Sequence, residues 1–96
     1  MELQSQFIGF YETIESDQRM NRTHISLYMA FLFLCLEQDG ANPITVERNR
    51  LMQLAKISAR STYNMCMRDL HEYGYIRYTP SYNFYLGSLV LIKKTS

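Results

Sequence analysis

Arg60, Ser61, Asn64, Met65 and Arg68 stand at positions i, i+1, i+4, i+5 and i+8 of a single stretch of the chain. On a helix that spacing forms one continuous surface. The chemistry such a surface offers is recognition. A guanidinium can donate twice to the O6 and N7 of guanine, and a carboxamide can pair with the N6 and N7 of adenine. Asn64 and Arg68 are therefore the candidates for base edges, and Arg60 for bases or phosphate. Ser58, Ser61 and Thr62 lie at the start of the same stretch, where hydroxyls and free backbone N–H groups suit phosphate. A solvated polar face has the same periodicity, but the basic character of this one, next to a helix start, favours an anion.

A second group lies further on. Tyr82, Asn83 and Tyr85 fall near the tip of an expected hairpin, with Arg77, Lys93 and Lys94 on the flanking strands. Tyrosine hydroxyls and lysines make phosphate or minor-groove contacts. The loop itself has no Arg or Lys, which argues against deep insertion into a minor groove, and Phe84 and Leu86 are expected to fold back on the sheet. The charge distribution agrees with this grouping. Residues 1–47 carry seven acidic and two basic side chains, whereas residues 48–96 carry eight basic and two acidic ones. A nearly neutral chain split this way suggests that its second half faces an anion.

Other chemistry is poorly served. His24 and His71 have no Cys, Asp or Glu at a metal-ligand spacing, so surface or capping roles are expected for both. Asp69 and His71 are two apart on one segment and point to different faces. Glu12 and Glu15 share a helix face, which usually means solvated carboxylates. Gly9, Gly40, Gly74 and Gly87 are scattered, so no phosphate-cradling loop is present. Cys35 and Cys66 sit in apolar runs, which suits a reducing compartment better than a disulfide. No motif implies catalysis or a cofactor, and no residue pattern bears on a small-molecule effector.

The elements that must position these residues are legible from periodicity. Leu3, Phe7, Phe10, Tyr11 and Ile14 make one apolar face over residues 2–15. Asn21 is placed to cap a second helix over about 22–38 that stops before Gly40. In it, Ile25, Tyr28, Leu32 and Leu36 form one stripe while Leu27, Phe31 and Leu34 cover much of the rest. Such a helix needs burial on more than one side. Two arrangements meet that need: a homodimer through the first two helices, or a central core helix wrapped by the rest of the chain. After Gly40-Ala41-Asn42-Pro43 come a short strand at Ile44-Thr45-Val46 and a helix over 47–55 with Leu51, Leu54 and Ala55 inward. Lys56-Ile57-Ser58 interrupts, and Ser58 is the expected cap of a third long segment, 59–73, ended by Gly74. Strands over 75–79 and 88–92 flank the loop 80–87.

Strand, helix, turn, helix, hairpin is the order of a winged helix-turn-helix. The run Leu54-Ala55-Lys56-Ile57-Ser58, then Ser61-Thr62-Tyr63, then Leu70 and Gly74-Tyr75-Ile76, resembles the pattern of winged-helix regulators over roughly residues 44–92. It is similar in more detail to short winged-helix proteins of bacterial conjugative and other mobile elements, and more distantly to phage replication organisers. Within the pattern, Ala55 permits close helix approach, Ile57 plugs the turn, and Tyr63, Met67 and Leu70 anchor the second helix, with Cys66 beside them. The expected fold is mainly α with a small β-hairpin: one domain over 1–96, with two additional helices in 1–40 and the helix-turn-helix plus wing in 44–94. The implied function is sequence-specific binding of double-stranded DNA, as a transcriptional regulator or mobile-element accessory protein. A protein-interaction or assembly module on the same fold is the alternative. The longest near-continuous apolar stretch, Leu27 to Leu36, is about half the ~20 residues a membrane span requires. A cytoplasmic protein without membrane contact is expected.

Overall fold

The computed structural model describes residues 2–81 and 87–95. Among them the chain forms α1 (Leu3–Ile14), α2 (Arg22–Glu37), β1 (Ile44–Val46), α3 (Arg48–Ala55), α4 (Arg60–Glu72), β2 (Ile76–Thr79) and β3 (Ser88–Ile92). The strands make one antiparallel sheet in the order β1-β3-β2. The fold is therefore mainly helical with a small sheet, and the expected hairpin has gained β1 as a third strand along β3, with Ile44 opposite Val90. Among the described residues no helix is long and apolar enough to cross a membrane.

Helix α2 is the hub. It packs against α3, α4 and β1, and Leu27, Tyr28, Phe31, Leu34 and Cys35 are buried within the one chain. Of the two arrangements open for this helix, a central core helix accounts for most of its apolar surface. Phe33 and Leu36 remain exposed, at 45% and 63%. Asn21 caps α2 as expected: its Oδ1 accepts from the N–H groups of Thr23 and His24. His24 completes a capping box, its Nδ1 accepting from the Asn21 N–H.

The face of α1 differs from the expected one. Gln6, Gly9 and Phe10 are buried, with Leu3 and Ile14 partly so, while Phe7 and Tyr11 turn outward. Two features accommodate this orientation. Gln6 Nε2 donates to the Tyr28 hydroxyl (2.6 Å) and to the Lys93 carbonyl (2.7 Å), which makes a buried carboxamide acceptable. Gly9 leaves room for the C-terminal segment, since a Cβ there would clash with Thr95 Oγ1. Phe10 then stacks flat on Tyr28 at 3.8 Å between centroids.

Two side-chain amides extend the sheet. Asn42 donates to the Ile92 carbonyl and accepts from the Ile92 N–H, both at 2.9 Å, two positions beyond the Ile44–Val90 pair that ends the β1–β3 ladder. On the opposite edge of β1, Gln38 exchanges the same two bonds with Thr45. An edge strand whose free groups are met this way is a poorer template for another chain.

The turn between α3 and α4 follows from its residues. Lys56 takes the left-handed conformation (φ 59°), and the Ile57 N–H bonds to the Met52 carbonyl at 2.9 Å, a Schellman closure with buried Ile57 as its apolar contact. Ser26 Oγ on α2 donates to the Ala55 carbonyl at 2.6 Å, satisfying an orphan group at the end of α3. Ser58 does not cap α4 as expected. The chain stays extended one residue longer, Ala59 occupies the N-cap position, and no side chain accepts from the first turn.

Candidate nucleic-acid interface

Helix α4 is held by one side. Tyr63, Cys66, Met67 and Leu70 are buried, as their spacing predicts. Burial pushes the Tyr63 phenol up to about 12 and raises the Cys66 thiol, so both stay neutral near pH 7 and Cys66 reads as packing. The other side is open. Arg60, Ser61, Asn64, Met65 and Arg68 are all exposed, with Thr62 partly so. Among the described residues, the side chains of Arg60, Asn64 and Arg68 make no hydrogen bond or ion pair within the chain.

The acid nearest this surface in sequence is turned away from it. Asp69 accepts from His24 Nε2 at 2.9 Å, and its side chain is 17% exposed. Because the Asn21 N–H occupies Nδ1 of His24, the ring proton sits on Nε2 and is the one given to Asp69. His24, expected at the surface or as a cap, is in fact buried, and it ties the start of α2 to α4 while holding the Asp69 carboxylate toward α2. The capping role expected for it does hold.

Beside α4 an open groove of about 280 Å³ is lined by Tyr63, Asn64, Met67, Arg68, His71 and Tyr78. Its floor is aromatic and thioether, and its rim is polar. The Tyr78 N–H donates to His71 Nδ1 at 3.0 Å, which pins β2 to the last turn of α4. His71 escaped the sequence-based site, yet it follows Asn64 by seven and Arg68 by three, a spacing that places it on the same face.

Other expected contacts lie elsewhere. Arg77 sits opposite Leu91 and between buried Ile76 and groove-lining Tyr78, so strand alternation directs it to the sheet face away from the helices. Lys93 follows the end of β3 at the base of the hairpin. Its N–H bonds to the Tyr75 carbonyl and its own carbonyl accepts from Gln6, which puts it beside α1 and far along the chain from the hairpin tip. Ser58 is exposed in the turn. Tyr82, Asn83 and Tyr85 lie outside the described residues. The structure thus gathers Arg60, Ser61, Asn64, Met65 and Arg68 on one surface and does not bring Arg77 or Lys93 to it.

Comparison with protein-family models, with curated proteins and with solved structures finds no match.

Proposed function

We propose that this chain is a winged helix-turn-helix domain that binds double-stranded DNA with α4 in the major groove, as a transcriptional regulator or an accessory protein of a mobile element. The observation that carries the reading is the uncompensated Arg60–Asn64–Arg68 surface, whose neighbouring acid is bound to His24. Three further features support it. The order β1-α3-α4-β2-β3, with β1 added to the hairpin, suits a helix-turn-helix followed by a wing. The four residues between α3 and α4 match the length of such a turn. The first turn of α4 lacks a side-chain cap, whereas Glu2, Asn21 and Glu47 cap the other helices. Its free N–H groups are then available to phosphate.

Selection of bound duplexes from a random pool is the direct test, followed by measurement with variants. Asn64→Ala or Arg68→Ala should each cost on the order of 1–3 kcal/mol, concentrated at one base position. Wild-type affinity should fall steeply with salt. Unchanged binding of the selected duplex by both variants rejects this face.

The exposed Phe7, Ile8 and Tyr11 of α1, with Phe33 and Leu36 of α2, favour a second element of the reading. We propose that the protein acts as a homodimer joined through these two helices. The assembly-module alternative uses the same apolar residues, and it is favoured if a protein partner is captured while no duplex shifts at low salt.

A further inference from the structure

We propose that His71 is a DNA-backbone contact, donating its Nε2–H to a phosphate oxygen at the edge of the groove that α4 enters. This rests on the DNA-binding reading above and adds a residue and a role to it. The tautomer of His71 is fixed by its neighbour on β2. A backbone N–H can only donate, so the 3.0 Å bond from Tyr78 requires Nδ1 of His71 to be an acceptor. The ring proton is therefore on Nε2. The side chain is exposed, lines the groove beside Arg68, and has no other partner among the described residues. The outcome is a hydrogen-bond donor whose direction is fixed by β2 before any ligand arrives. A donor held in this way loses little side-chain entropy on binding.

Its position along the helix selects the type of acceptor. His71 is eleven residues beyond Arg60, which at 1.5 Å per residue is about 16 Å along the axis. The major groove is only about 12 Å wide. If α4 enters the groove start first, its first turns are the ones that reach base edges, and its last turn lies toward the phosphate wall. A neutral donor there strengthens binding to every sequence alike.

Two near-isosteric variants separate this role from the tether to β2. His71→Asn keeps an acceptor close to the Nδ1 position but has nothing at Nε2. His71→Gln keeps a donor near the Nε2 position and forgoes the acceptor. Binding of the selected duplex is measured for wild type and both variants, with thermal unfolding alongside. The expected result is a roughly tenfold loss for His71→Asn, the size of one hydrogen bond to a charged group. That loss should be uniform across base substitutions, and His71→Gln should stay within about twofold of wild type by the same measure. Among duplexes with one phosphate replaced by an uncharged methylphosphonate, one position that weakens wild type should leave His71→Asn indifferent. Wild-type affinity in His71→Asn, or equal losses in the two variants, overturns the assignment while leaving the DNA reading intact. Failure of the wild-type protein to bind any duplex overturns both.

Discussion

At the scale of single residues, polar groups with more than one bond carry much of the specification. Asp17 is the most heavily engaged. It accepts from Arg19 Nε, Nη2 and N–H and from the Tyr75 hydroxyl at 2.7 Å, while the Arg19 guanidinium lies 4.1 Å from the centre of the Tyr73 ring. The hydrogen bonds from Arg19 and then Tyr75 hold its carboxyl well below the usual carboxylate range, against a smaller opposing effect of burial. The sign of the consequence follows. Because the folded-state value is depressed, this group adds stability above the unfolded value of 3.8, and that stability is lost as pH falls below it. Urea unfolding of wild type and Asp17→Asn should therefore differ clearly at pH 6 and converge as the pH drops below about 4. A difference between the two proteins that stays constant down to pH 2 contradicts the role given to this carboxylate. None of this cluster was legible in the sequence. Asp17 and Arg19 are close in the chain, but Tyr75 reaches them from the other end of the fold, and no local pattern announces a pairing over such a distance. The same holds for Gln6, a polar residue whose partners Tyr28 and Lys93 are named only by the tertiary structure.

At the scale of elements, the strongly periodic segments were readable and their ends less so. The second helix, the short first strand, the two helices of the basic half and the last strand all appear within a residue or two of expectation. The α1 face was misjudged because periodicity counts apolar side chains and ignores what a buried Gln or Gly can do. The α4 cap was misplaced by one residue, since Ser58 looks like a cap and the extended backbone at Ala59 leaves no trace in sequence. That misplacement leads to a test. Ala59→Asp would supply the missing acceptor to the first turn of α4 and should stabilise the fold by about 1 kcal/mol, read as a higher urea midpoint. On the proposed reading, the same carboxylate would sit where a phosphate approaches, so duplex affinity should fall as stability rises. A variant that gains stability and binds DNA as well as wild type would show that this helix start does not face the backbone. Opposed changes in the two measurements are hard to obtain from a merely structural site.

At the scale of the whole molecule, the charge split seen in sequence leaves its clearest trace on the open face of α4, whose bases are free of the ion pairs found elsewhere among the described residues. Asp17 is matched by Arg19 and Glu37 by Arg50, while Asp69 is turned toward His24, which donates to it. Arg60 and Arg68 are left unmatched on one surface. Apolar residues are left over too, and their placement leads to the oligomeric state. The molecule measures 36 × 29 × 21 Å. Two helix-turn-helix units that read one face of a duplex must present their recognition helices about 34 Å apart, one turn of DNA. Two copies of this size meeting through α1 and α2 can meet that spacing, since the distance is close to the longest dimension of one molecule. The prediction is a dimer in sedimentation equilibrium at tens of micromolar protein, converted to monomer by Phe7→Glu combined with Phe33→Glu. Both side chains are about half exposed, at 47% and 45%, so charging them should leave the core unaltered. The selected DNA site should then be two half-sites one turn apart for wild type, while the monomeric variant retains only weak binding to a single half-site. A wild-type protein that remains monomeric at high micromolar concentration and selects one undivided site would remove the dimer and leave the α4 surface to act alone.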